Sequence, residues 1–383
     1  MVAIIGCGHS RFGRLPDTLE DLIVAVAREA LAEAAIAPAE IGGIWLGHFN
    51  AGMVEDGFAA SLALNAHDDL RWAPATRVEN ACASGAAAIR SAMDAIESGR
   101  VRAALVIGAE KMTHLATADV SACLGRAAYQ PEEAGQSFPA IFAHFAQAYA
   151  ARFGDPTEAM AQIAAKNHAN AMVNPLAQMH KPLSVEFCRE VSEKNPMIAA
   201  PLKVSDCSLV SDGAAALVLV ADDLAQGQPA VRIAAMEQVN DLLPMSRRDI
   251  SVMEGPRRAI HAALARAGTD LDGLDFAEVH DCFTIAELMI YEAMGLAAPG
   301  QGARVLQEGT VMRGGALPVN LSGGLKAKGH PVGATGVSMH VLGARQILGQ
   351  AGDMQLPGAR RGLVFNMGGA AVANYASVLE GVA

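Results

Sequence analysis

Short β-rich runs alternate along this chain with Ala-rich amphipathic runs, and that rhythm constrains the fold more than any other feature. Residues 2–5, 43–46 and 103–107 are apolar and strand-length, while 19–34 and 86–96 space their apolar residues along one helical face. Strands separated by helices of this length form sheets covered by those helices, so the spacing predicts an α/β architecture. The stretch from about 113 to 206 breaks the rhythm with long helical runs at 138–152 and 157–172. Turn signals at Asn174-Pro175 and Asn195-Pro196 follow, so it reads as an inserted loop subdomain.

Regular structure resumes with a turn and buried strand over 211–220, and Gln226-Gly227-Gln228-Pro229 reads as a linker. Beyond it the order starts again: a strand at 231–236, a helix at 256–267, a strand at 276–279 and a helix at 284–294. Two halves with a similar element order, 1–225 (holding the insertion) and 229–383, predict an internal duplication.

Composition narrows the function. With 52% hydrophobic and 18% charged residues, the 383-residue chain buries a large core but has little polar cover, which predicts a homo-oligomer, a homodimer or a dimer of dimers. A net charge of -11 with no basic stripe argues against nucleic acid, although local lysines and helix starts still suit an anionic ligand. The apolar start, residues 1–6, is too short for a signal peptide or membrane span. The six cysteines are scattered, with no metal-ligand spacing, and read as reduced thiols of a cytoplasmic protein.

One cysteine stands apart. Cys82, in Val78-Glu79-Asn80-Ala81-Cys82-Ala83-Ser84-Gly85, lies at a strand-to-helix turn ahead of an Ala-rich run. Free N–H groups at a helix start favour a thiolate, which predicts a lowered pKa and a nucleophile. The competing reading is a small buried apolar residue. Three loops at predicted strand ends in the second half bear on the choice: His280-Asp281-Cys282-Phe283-Thr284, the glycine-dense 320–336 with its Gly329-His330-Pro331, and Asn366-Met367-Gly368-Gly369-Ala370. Ligands of α/β proteins bind at such ends, so these loops are expected to meet Cys82 across a cleft. Two superficial motifs fail. Arg11 stands where the third glycine of a dinucleotide fingerprint belongs, and His330 stands where a P-loop needs lysine.

Together these segments resemble the thiolase superfamily, in particular its sterol-carrier-protein-linked and archaeal branch, over essentially the whole chain. The resemblance implies a duplicated, layered αβαβα fold and Claisen chemistry on coenzyme A thioesters, with no permanently bound cofactor and no metal. Cys82 would carry the acyl group, and His330 would activate it and hold an enolate oxygen. Cys282 would be the acid/base, since most thiolases place that cysteine in a Cys-x-Gly motif where this chain has Asn366-Met367-Gly368. His280 replaces the usual asparagine of an oxyanion site. The backbone N–H groups of Cys82 and Gly368 would hold the acyl-enzyme oxyanion. Lys326 and Lys328 are candidates for the anionic groups of coenzyme A.

Plainer readings stand beside these. His330 also suits a helix cap and Gly368 a turn, while Asp281 reads as a helix N-cap. Cys7, Cys123, Cys188 and Cys207 read as structural. A decarboxylating ketosynthase is the runner-up, because Cys82, His280 and His330 form a Cys-His-His set. A third reading is a subunit that depends on a small zinc-ribbon and OB-fold partner.

Overall fold

The computed structural model describes residues 1–382. Its strands are β1 (Val2–His9), β2 (Gly43–Gly47), β3 (Ala75–Val78), β4 (Ala103–Glu110), β5 (Met197–Ala199), β6 (Leu202–Lys203), β7 (Gly213–Ala221), β8 (Val231–Asn240), β9 (Phe276–Val279), β10 (Arg361–Gly368) and β11 (Ala373–Gly381). Nine of them form one sheet in the order β3-β2-β4-β7-β1-β8-β11-β10-β9. The duplication is visible in that order. Outward from the centre, β1-β7-β4-β2-β3 is answered by β8-β11-β10-β9, with the same alternation of antiparallel and parallel pairs. Val319 bridges Ala277 in parallel and takes the place β3 holds beside β2. The two halves join where β1 pairs antiparallel with β8, from Val2 opposite Ile233 to Ile4 opposite Val231.

Every residue of β1 and β4 is buried, as expected of strands covered on both faces. The Leu19–Ala34 helix starts on a Thr18/Asp21 capping box and lays Leu22, Ile23, Val26 and Ala30 on the outer face of the first half. Helices Ser84–Glu97 and Thr335–Ile347 pack together between the halves. Their approach requires glycine: a Cβ on Gly336 would lie 2.4 Å from the Ala86 backbone nitrogen, and one on Gly85 would lie 2.8 Å from the Gly333 oxygen. This crossing sets Cys82 beside the His330 loop.

The insertion lies between β4 and β7 and contains helices Phe138–Phe153 and Thr157–Ala171, within one residue of the expected runs, plus the β5–β6 ribbon. Asp212 fastens its base by accepting from the N–H groups of Leu15, Met112 and Thr113 and from Lys111 Nζ at 2.8 Å. Among the described residues, no helix is long and apolar enough to cross a membrane.

Candidate active site

The expected cleft forms. Cys82 Sγ and one ring nitrogen each of His280 and His330 all lie within 4.8 Å of one another, and all three residues are buried. Cys82 sits on a tight turn in which Ala81 takes a positive φ of 50°, and the N–H groups of Ala83 and Ser84 bond back to Asn80 and Ala81. Both N–H groups are thus committed to backbone oxygens and not to a thiolate. Burial, reinforced by the Glu110 carboxylate, therefore pushes the Cys82 thiol up to about 12, even though the N–H groups of Gly369 and of Cys82 itself pull the other way. The expected lowering of its pKa does not occur, because desolvation outweighs the helix start.

Hydrogen bonds give the two histidines opposite tautomers. The Asn366 amide nitrogen lies 3.2 Å from the Cys82 carbonyl oxygen, which only accepts, and 2.9 Å from His280 Nδ1. It therefore donates to both, so His280 Nδ1 accepts and its proton rests on Nε2, which has no partner among the described residues. His330 is the reverse. The Thr335 hydroxyl donates to the Pro331 carbonyl at 3.0 Å and so accepts from His330 Nδ1–H at 2.7 Å, leaving the His330 Nε2 lone pair free. The rings meet edge to face, 5.2 Å apart. Burial, with the nearby Lys328 charge, holds His330 down at about 3, and burial holds His280 well below its ordinary value. One site thus holds a neutral acceptor and a neutral donor.

Cys282 is buried at the same place, its pKa raised well above that of a free thiol by burial and by the Cys82 sulfur. Asp281 is not the N-cap of the following helix; Phe283 occupies that position without a side-chain cap. Asp281 instead accepts from the N–H groups of Leu325 and Lys326, at 2.6 and 3.1 Å, and from Asn167 at 2.7 Å. It ties the Cys282 loop to the His330 loop. A Cβ on Gly324 would lie 2.2 Å from its carboxylate.

In the third loop the Gly369 N–H, like that of Cys82 itself, favours the Cys82 thiolate, and Gly368 packs so closely on the turn carrying Cys82 that a Cβ there would lie 2.1 Å from the Asn80 oxygen. Lys328 also differs from a solvated loop lysine. It is fully buried, with Nζ 3.1 Å from Ser338 Oγ, and is turned away from any phosphate arriving from solvent. Lys326 lines a cavity of about 400 Å³ that has His330 and Phe283 in its wall and the exposed Lys181 and Lys194 along it. Asn366, Thr335 and Gly369 lie in the expected loops but the sequence assigns them no role, and the two surface lysines have no spacing that marks them.

A buried thiol, paired histidines and a second thiol thus meet at the crossing of a duplicated α/β fold, and the matching family models and relatives make the chain an acyltransferase of the thiolase type. The family models "Thiolase, N-terminal domain" and "Thiolase C-terminal domain-like" match residues 2–223 and 237–381, and the chain belongs to the thiolase family. It is 35% identical to the acetyl-CoA acetyltransferase of Methanothermobacter thermautotrophicus over 96% of both chains. It is 30% identical to sterol carrier protein 2 of Bos taurus over 96% of this chain and 70% of that one. The solved "Ltp2-ChsH2(DUF35) aldolase" shares the fold at a TM-score of 0.84 and 21% identity, covering 99% of this chain and 97% of that one.

Proposed function

We propose that this thiolase cleaves or forms 3-oxoacyl-CoA through an acyl-enzyme on Cys82, with acyl-CoA and coenzyme A as its substrates. The observation that carries the reading is the pairing of opposite tautomers around the Cys82 sulfur: His330 Nε2 is placed to accept a proton and His280 Nε2–H to donate a hydrogen bond.

In thiolysis, the Cys82 thiol gives its proton to His330 Nε2 as its sulfur adds to the 3-oxo carbon, and the N–H groups of Cys82 and Gly369 hold the oxygen that becomes negative. The bond between C2 and C3 breaks, leaving an enolate whose oxygen faces His280 Nε2–H and the newly protonated His330. Cys282, a neutral thiol in the free enzyme, delivers its proton to C2. Its thiolate then takes the proton of incoming coenzyme A, whose sulfur displaces the acyl group from Cys82, and His330 returns its proton to Cys82. Condensation is the reverse. The raised pKa of both thiols suits this order, because each begins with a proton to give.

The experiment offers acetoacetyl-CoA with coenzyme A, and separately malonyl-CoA with an acyl-CoA primer, to the wild type and to Cys82→Ala and Cys282→Ala. Thiolysis in the first mixture, lost in both variants, is expected. Turnover of the malonyl mixture alone would establish the ketosynthase reading, against which Cys282 counts: a decarboxylating enzyme makes its carbanion without a base. A likeness in fold to a protein solved with a DUF35 partner supports a small zinc-ribbon and OB-fold partner for this chain as well. We further propose a cytoplasmic location, on the scattered reduced cysteines, and a homo-oligomer, on the sparse polar cover, with 1–225 and 229–383 as the two halves. Size-exclusion chromatography with and without a co-expressed partner tests the assembly, and full activity of the chain alone would remove the partner.

A further inference from the structure

Four lysines of this chain are buried, and three have partners: Lys166 pairs with Glu287 at 2.6 Å, Lys203 with Asp206 at 2.8 Å, and Lys328 bonds Ser338 and lies 5.9 Å from the Phe12 ring centre. Lys326 is the exception. It is 3% exposed and lines the cavity beside His330, and its ammonium makes no hydrogen bond or ion pair among the described residues; only its backbone N–H is bonded, to Asp281.

The cavity is unlike the surface around it. On a chain with 40 acidic and 29 basic residues, no Asp or Glu lines it, while Lys181, Lys194 and Lys326 do. Most of the remaining wall is apolar, including Met112, Val120, Phe138, Leu183 and Phe283. The lysines differ in exposure: Lys181 and Lys194 are exposed and Lys326 is not. The diphosphate and 3′-phosphate of coenzyme A carry several charges, which favour solvent and exposed cations. A single buried ammonium in an apolar wall matches a single negative charge. Asp206 and Asp281 attract the Lys326 ammonium without bonding it, and a ligand carboxylate supplies the direct contact it lacks through a charge-assisted hydrogen bond.

We propose that this cavity recognises acyl groups ending in a carboxylate, with Lys326 as the group that binds it. The proposal rests on the thiolase reading for the identity of the thioester and on the cavity for the carboxylate.

The test measures equilibrium binding, so it stands apart from turnover. Cys82→Ala protein, which cannot be acylated there, is titrated with coenzyme A, with a series of acyl-CoA esters ending in a carboxylate, and with methyl-terminated esters of the same lengths. At one length or more the carboxylate ester should bind about tenfold or more tightly than its methyl counterpart. Lys326→Met should erase that ratio while leaving binding of coenzyme A unchanged, and Lys326→Gln, which keeps a polar tip, provides a second variant. Melting curves verify that both fold. Equal binding of charged and uncharged esters at every length would overturn the proposal. So would a Lys326→Met variant that loses affinity for coenzyme A and both esters alike, since the lysine would then serve the phosphates. Failure of the thiolase reading shows separately, as no thiolysis of acetoacetyl-CoA by the unmutated enzyme.

Discussion

Asn366→Asp is close to isosteric and inverts the electrostatics of one atom. The amide nitrogen that lies 2.9 Å from His280 Nδ1 and 3.2 Å from the Cys82 carbonyl becomes a carboxylate oxygen, so two donated hydrogen bonds are replaced by two lone-pair contacts. His280 then places its proton on Nδ1 to meet the carboxylate, and Nε2 presents a lone pair to the developing oxyanion. Removing one oxyanion donor costs about 10²–10³ in kcat, and a histidine held in the wrong tautomer costs up to about 10⁴. Between these limits, a fall of about 10³ is expected. The cavity wall is untouched, so KM for acetoacetyl-CoA should move only a few-fold. The assay follows the disappearance of acetoacetyl-CoA in the presence of coenzyme A, with melting temperature and circular dichroism as controls. A folded variant within about tenfold of wild-type kcat would refute the tautomer assignment and with it the role of His280 as donor.

Gly368→Ala forces a Cβ to 2.1 Å from the Asn80 oxygen, and the nucleophile turn must shift. Overpacking of this kind costs about 1–3 kcal/mol, and because the turn carries Cys82, whose N–H is one of the two proposed oxyanion donors, kcat should fall by at least about 10²; unchanged kcat and melting temperature would contradict the packing. With its thiol near pH 12, Cys82 should react with iodoacetamide about tenfold faster per pH unit between about pH 8 and 10, followed by peptide mass; a plateau already at neutral pH would mean a preformed thiolate. Burial holds His9 and His330 near 3 and His168 and His340 near 4, so each is neutral in the folded protein where the unfolded chain binds a proton. Their contribution to stability is full above about pH 6.5 and is lost as pH falls towards 4, by up to about 1.4 kcal/mol per pH unit for each histidine. The urea midpoint should therefore drop between pH 7 and pH 5, and equal midpoints would contradict it.

The elements were legible where local pattern decides them. The β9 strand at 276–279 and the Thr284–Met294 helix fall where the sequence places them, because an apolar run followed by helical spacing needs no tertiary information. The β11 strand is not legible in the sequence: its buried Asn374 and Ser377 interrupt the apolar pattern, and the fold supplies their partners, the Val239 and Ala371 carbonyls and the His340 ring. At the site, residue types marked Cys82, His280, Cys282 and His330, and the fold brings them together. Their protonation could not be read that way. It depends on depth and on partners far away in sequence: Asn366 sets one tautomer, Thr335 the other, and burial reverses the pKa expected from the helix start. Depth also separates Lys326 from Lys328, two residues apart in one loop, since one lines the cavity and the other is directed into the core.

The proposed mechanism requires the acyl group to reside on Cys82. Intact mass and peptide mapping after brief incubation with acetyl-CoA measure this directly. One added acetyl group on the peptide containing Cys82 is expected in the wild type and in Cys282→Ala, and none in Cys82→Ala. An unmodified wild-type chain that still cleaves acetoacetyl-CoA, or an acetyl group found on Cys282 instead, would contradict the account.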